Sequence, residues 1–125
     1  MLKVMIVDDA KMSLKMVKRT LENESSLDLD IHSFIDSHEA KDCFLTLKPE
    51  LVITDIFMPD VDGFELIKYV KVNSKTPVLA ISSEKFGSGS SDSILKMAKS
   101  RGADYVLSKA NLVEELPSLV KNILN

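Results

Sequence analysis

Three aspartates, a serine and a lysine are the residues of this chain whose types and spacing suggest chemistry: Asp8 and Asp9, Asp55, Ser82 and Lys109. Each of these positions lies one or two residues past the end of a short apolar run: Val4-Met5-Ile6-Val7, Leu51-Val52-Ile53, Val78-Leu79-Ala80-Ile81 and Tyr105-Val106-Leu107. Carboxylates brought within a few ångströms repel one another unless they are protonated, paired or bound to a cation. An all-oxygen site with few protein ligands suits Mg2+, which keeps several waters and readily shares phosphate oxygens. A lysine supplies a mobile point charge for a phosphate, and a serine hydroxyl donates to one of its oxygens. Once metal and lysine neutralise the incoming charge, a carboxylate can attack phosphorus as a nucleophile. The remaining catalytic work is positioning and charge stabilisation.

Those residues need elements that carry them to one place. The first three runs are apolar on both faces, as buried parallel strands are, and Tyr105-Val106-Leu107 follows that pattern more weakly. Leu27, Leu29, Ile31 and Ile35 instead recur at period two, with Asp28, Asp30 and His32 between them, which predicts a half-exposed edge strand. Helical spacing fills the gaps. Leu14, Val17 and Leu21 mark a first helix, Ala40, Cys43, Phe44 and Leu47 a second, and Leu66, Ile67 and Val70 a third. Ile94, Met97 and Ala98 mark a fourth, with Gly102 at its C-cap, and Leu116, Leu119, Val120, Ile123 and Leu124 a fifth. Asn111 and Glu114 have capping-box spacing, yet Pro117 would then interrupt an early turn, so the regular fifth helix is expected to begin at Pro117 as its first residue.

Five strands alternating with five helices imply an α/β fold, a doubly wound five-stranded parallel sheet. Right-handed crossovers and an edge-like second strand favour the flavodoxin-like order 2-1-3-4-5. Sites in such sheets lie beyond the carboxyl ends of the strands, at the switch point between strands 1 and 3. Asp8, Asp9, Asp55, Ser82 and Lys109 all fall on that rim, whereas the edge strand offers only Asp36, to one side.

The remainder of the composition narrows the class. At 125 residues the chain has the length of one domain, taken as 1–125, and can bury a core without staples. Sixteen Lys and Arg against 19 Asp and Glu give a net charge of −3, with no basic cluster suited to nucleic acid. The single Cys43 excludes an internal disulfide and a multi-cysteine metal site, and fits a reducing compartment. The longest uninterrupted apolar runs are four residues, Val4 to Val7 among them, too short to span a membrane. No signal-peptide pattern opens the chain. A cytoplasmic domain is expected.

With Met58-Pro59 after Asp55 and Gly63 eight residues past it, the set resembles a response-regulator receiver domain of two-component signalling, over essentially the whole chain. The resemblance implies that Asp55 accepts a phosphoryl group from a histidine kinase or a histidine phosphotransfer protein. It implies direct Mg2+ ligation by Asp9, Asp55 and the backbone carbonyl of Phe57, with Asp8 contacting the metal mainly through water. Ser82 would hold the phosphoryl group and Lys109 would pair with it. Phe57 and Glu84 would flank the path of the water that slowly removes it. The family is a phosphoacceptor switch rather than an enzyme with turnover, and a downstream protein would dock on the face made by helix 4, strand 5 and helix 5. The tract Gly87-Ser88-Gly89-Ser90-Ser91 before helix 4 would be the loop that rearranges. No room for an output domain is expected after the fifth helix.

Some positions depart from the family pattern. Val106 stands where an aromatic switch residue is common, Tyr105 lies one position earlier on the opposite face of the strand, and Ala110 replaces a proline after the lysine. These departures motivate an alternative, a receiver-like interaction module that works without phosphorylation. An aspartyl-phosphate hydrolase is disfavoured because Phe57, two residues past Asp55, is not a second carboxylate. Each site residue also has a structural role to weigh against the chemical one. Asp8 and Asp9 suit a helix N-terminus, Gly63 a turn needing backbone freedom, Ser82 a turn, Lys109 a solvated surface, and Cys43 the core. His32 and His38 lack a second ligand at metal spacing.

Overall fold

The computed structural model describes residues 1–56, 63–82 and 96–125. Strands β1 (Leu2–Val7), β2 (Leu29–Phe34), β3 (Leu51–Asp55), β4 (Val78–Ser82) and β5 (Tyr105–Ser108) form one parallel sheet in the order β2-β1-β3-β4-β5. The helices are α1 (Lys11–Glu22), α2 (Ser37–Leu47), α3 (Gly63–Asn73), α4 (described over 96–100) and α5 (Leu112–Leu124), the last preceded by a 3-10 turn over Lys109–Asn111.

Alternation along the strands sorts the core into two layers. Val4, Ile6, Leu51, Ile53, Leu79, Ile81 and Leu107 pack with Leu14, Val17 and Leu21 of α1 and Leu112, Leu116 and Val120 of α5. Met5, Val7, Val52, Val78 and Ala80 face the other way, onto Ala40 and Phe44 of α2, Leu66, Ile67 and Val70 of α3, and Ala98 of α4. Strands covered on both faces must be apolar at successive positions, which is why β1, β3 and β4 read as continuous apolar runs.

β2 is the edge strand, as its pattern predicts, but the phase of that pattern fails at its end. Leu29 and Ile31 pack toward α1 and α5, while Phe34 packs into the opposite layer and Ile35 is 47% exposed. Ser33 sits where the period-two reading needs an apolar residue, and Ile35 lies past the strand's last ladder pair, Val7 with Phe34.

Two expectations about helices change. α5 begins at Leu112, not at Pro117, and Asn111 makes no side-chain capping bond. Pro117 is tolerated because the group that loses its helical partner is the carbonyl of Val113, a residue 63% exposed at the solvated start of the helix. In α4, Ala98 is fully buried but Met97 is 45% exposed. That helix ends as its sequence predicts, with Gly102 at φ 116. The amides of Ala103 and Gly102 close back on the carbonyls of Ala98 and Lys99, at 3.0 and 3.1 Å. Cys43 is half-buried beside the core rather than within it. Ile94, Met58-Pro59, Glu84 and residues 87–91 lie outside the described residues.

Candidate functional site

Sheet register places the acidic residues. Val7 pairs with Thr54 across β1 and β3, so Asp8 and Asp55 occupy the next level of adjacent strands, where side chains project to the same face about 5 Å apart. Asp55 pairs with Ile81 and Ser82 with Ser108, which sets Ser82 and Lys109 one step further along the same rim. The result is a cluster in which one carboxylate oxygen from each of Asp8, Asp9 and Asp55 lies within 4.8 Å of the others.

Asp8 is fully buried and divides its oxygens. Oδ1 accepts from the backbone amide of Ala10 at 2.9 Å, and Oδ2 accepts from Lys109 Nζ at 3.0 Å. One carboxylate thus faces both the residue that opens α1 and the Lys109 ammonium, through different atoms. Asp9 is exposed at the mouth. Asp55 is 6% exposed; its Oδ1 accepts from the amide of Ile56 at 2.9 Å and its Oδ2 lies 3.5 Å from Lys109 Nζ. Ser82 is buried at the end of β4.

Lys109 reaches across from the far side of the switch point with its side chain only 15% exposed. A solvated surface role is thus replaced by an ammonium held against two carboxylates. Its third neighbour is Ser13, whose Oγ accepts from Nζ at 3.0 Å. No sequence pattern singles out Ser13, although it stands four residues past Asp9 in the first turn of α1 and so belongs to the same rim.

Burial pushes the Asp55 carboxyl up to about 6, the negative charge of Asp8 adds to that rise, and Lys109 and the Ile56 amide pull it back. With all three carboxylates ionised the cluster carries two negative charges more than Lys109 can balance. Its donors are all oxygen, so it fits a hard divalent cation such as Mg2+ rather than a softer metal. Among the described residues no other group of three His, Cys, Asp or Glu brings its ligand atoms so close. Phe57, expected to lend a backbone carbonyl, lies outside those residues.

Gly63 is needed for space, not for backbone freedom. Its φ is not positive, but an added Cβ would lie 2.3 Å from the Asp55 carbonyl oxygen and 2.5 Å from Ile56 Cα. Its amide donates to Ile56 O at 2.8 Å, which ties the start of α3 to the residue after Asp55.

The family model described as the response regulator receiver domain matches residues 4–121. The chain belongs to that family. Receiver domains are signalling modules of two-component and chemotaxis response regulators, bind Mg2+ at an acidic pocket and generally work with kinase partners. This receiver domain is 32% identical over 126 residues to Protein PilG of Pseudomonas aeruginosa, an alignment covering 96% of this chain and 85% of the relative. It is 33% identical over 82 residues to protein-glutamate methylesterase/protein-glutamine glutaminase 2 of Carboxydothermus hydrogenoformans, covering 66% of this chain but 23% of that enzyme's length. Among solved structures, the Vibrio cholerae chemotaxis protein CheY4 superposes with a TM-score of 0.80 at 26% identity, covering 98% of each chain. No helix among the described residues is long and apolar enough to cross a membrane.

Proposed function

We propose that this receiver domain is a phosphorylation switch in which Asp55 accepts a phosphoryl group from a histidine kinase or a histidine phosphotransfer protein. The observation that carries the reading is the placement of Lys109 Nζ, 3.0 Å from Asp8 and 3.5 Å from Asp55, inside a cluster of three carboxylates. One Asp55 oxygen attacks phosphorus, the P–N bond to the donor imidazole breaks, and its electron pair returns to the ring. Lys109 then has the phosphoryl oxygens within reach of its charge, and the Ser82 hydroxyl donates to one of them. Asp9 and Asp55, with Asp8 behind them and the carbonyl of Phe57, would hold Mg2+. When bound, the ion supplies charge neutralisation for the transferring phosphoryl group. Near-complete burial of Asp8 and Asp55 strengthens every charge interaction there and keeps the carboxylates in place.

The acyl phosphate adds negative charge where Ser82 and Lys109 can respond, which biases the elements after β4 and β5 between two arrangements. The face of α4, β5 and α5 is the output surface, and Tyr105, Met97 and Val113 are exposed on those elements. Residues 1–125 work as one domain in the cytoplasm, and water, its path flanked by Phe57 and Glu84, slowly hydrolyses the phosphate. Acetyl phosphate with Mg2+ should add one phosphoryl mass, and Asp55→Asn should abolish it. No mass gain in the wild type refutes the reading.

One observation favours a second reading, a module that binds partners without phosphorylation. Val106 carries no ring to couple to Ser82 and packs, half-buried, on the layer of α2, α3 and α4, while Tyr105 emerges on the other face. That reading predicts partner affinity unchanged by beryllofluoride despite normal Mg2+ binding.

A further inference from the structure

Lys109 ends in an ammonium with three protons and no acceptor capacity. The aliphatic stem gives it considerable rotamer entropy to lose. A lysine that must meet an incoming phosphoryl group therefore gains from having its head fixed beforehand. Asp8 provides one anchor at 3.0 Å. A single anchor leaves the ammonium able to swing about that contact; a second one removes the swing.

Ser13 is that second anchor. Its Oγ accepts from Nζ at 3.0 Å across 96 residues of sequence, and the ammonium stands 3.5 Å from Asp55 Oδ2, too long for a good hydrogen bond. Two protons are thus committed to Asp8 and Ser13, which directs the third toward Asp55. The anchor is itself rigid. Ser13 immediately precedes Leu14, buried with Val17 and Leu21 against α5, and the amide of Leu14 closes on Ala10 O at 2.9 Å. Asp8 holds the same Ala10 through its amide, so lysine, aspartate and serine form one braced unit around the start of α1.

We infer that Ser13 is a positioning residue for the phosphoryl group, acting through Lys109 by holding the ammonium with one N–H aimed at Asp55. The inference rests on the phosphorylation reading above and adds to it a residue of α1. A neutral acceptor suits this role because it orients the ammonium without discharging it, whereas a third contact to a carboxylate would compete with the phosphoryl oxygens for the same charge.

The test compares Ser13→Ala, Ser13→Thr and Ser13→Val with the wild type, each also in a Lys109→Ala background. Beryllofluoride affinity with Mg2+ and the acetyl phosphate dependence of phosphorylation are the functional readouts. The Nζ ammonium resonance of Lys109 in metal-free protein is the structural one. Ser13→Ala and Ser13→Val are expected to weaken beryllofluoride binding about tenfold, the scale of one hydrogen bond to a charged group, and to blur or lose the ammonium resonance. Ser13→Thr, which keeps the hydroxyl, restores both. In the Lys109→Ala background the same changes have no further effect. The inference is overturned if Ser13→Val matches wild type, or if its cost persists without Lys109, while the wild type binds beryllofluoride normally. Absence of beryllofluoride binding by the wild type overturns the phosphorylation reading, and this inference with it.

Discussion

Gly63 lies so close to Asp55 that a single added carbon would overlap the latter's backbone: the carbonyl oxygen of Asp55 is 2.3 Å from where a Cβ would stand. The contact is with main chain, which cannot rotate away. Gly63→Ala must push α3 off β3 or displace Asp55 itself. The expected cost is about 1–3 kcal/mol, the usual range for forcing an extra carbon into a packed site. Urea unfolding measures that loss. Phosphorylation by acetyl phosphate should fall as well, because the displaced residue carries the acceptor. Wild-type stability in Gly63→Ala would contradict the packing.

The buried Asp55 carboxyl makes the metal-free protein's stability depend on pH in a definite direction. Its value in the fold is about 6 against an ordinary 3.8, so between those values the folded state binds more protons than the unfolded state. Stability attributable to this group is thus full below about pH 4 and is lost as pH rises to 6, at most about 3 kcal/mol at 1.36 kcal/mol per pH unit. Asp55→Asn, neutral throughout, should therefore be more stable than wild type at pH 8 in EDTA and no more stable at pH 4. Thermal melts across that range decide it; a gain equal at both ends would remove the electrostatic explanation.

Lys109 compensates Asp8, which is fully buried. Lys109→Ala leaves that carboxylate without its cation, and breaking a buried pair in this way costs about 3–5 kcal/mol. A divalent cation should return much of the loss by binding the folded form alone. The expected result is a variant much weaker than wild type in EDTA and closer to it with saturating Mg2+. Equal stability of the two proteins in EDTA would mean the 3.0 Å contact contributes nothing.

Gly102 offers a control far from the carboxylates. Its φ of 116 is a conformation that L side chains rarely adopt, and an added Cβ would meet Lys71 Cγ at 3.4 Å. Gly102→Ala should cost about 1–2 kcal/mol through backbone strain. Phosphorylation should be unaffected, since the change touches the end of α4 and not the rim. A parallel loss of phosphorylation would show that the end of α4 is coupled to the site.

Much of the architecture was legible from residue types alone, for a physical reason. A parallel strand covered on both faces must be apolar at consecutive positions, and Val4–Val7, Leu51–Ile53 and Val78–Ile81 are. Helices that cover such a sheet must repeat apolar residues at about 3.6 per turn, and Leu14, Val17 and Leu21, like Leu66, Ile67 and Val70, do. The polar residues that close the strands then had one place to go. Legibility failed where a local pattern competed with a tertiary one. Ile35 continued an alternation that had already ended at Phe34, and Pro117 suggested a helix start that the burial of Leu112 and Leu116 overrode.

What the sequence by itself determined is the set of groups on the rim, because strand ends and switch points follow from pattern and handedness. Only the tertiary structure decided how they meet: that Asp8 splits its oxygens between Ala10 and Lys109, that Gly63 is there for clearance, and that Ser13 braces the lysine. Those are distances between residues up to 101 positions apart. They depend on how two helices and three strands settle against one another, and no spacing along the chain encodes a distance across the fold.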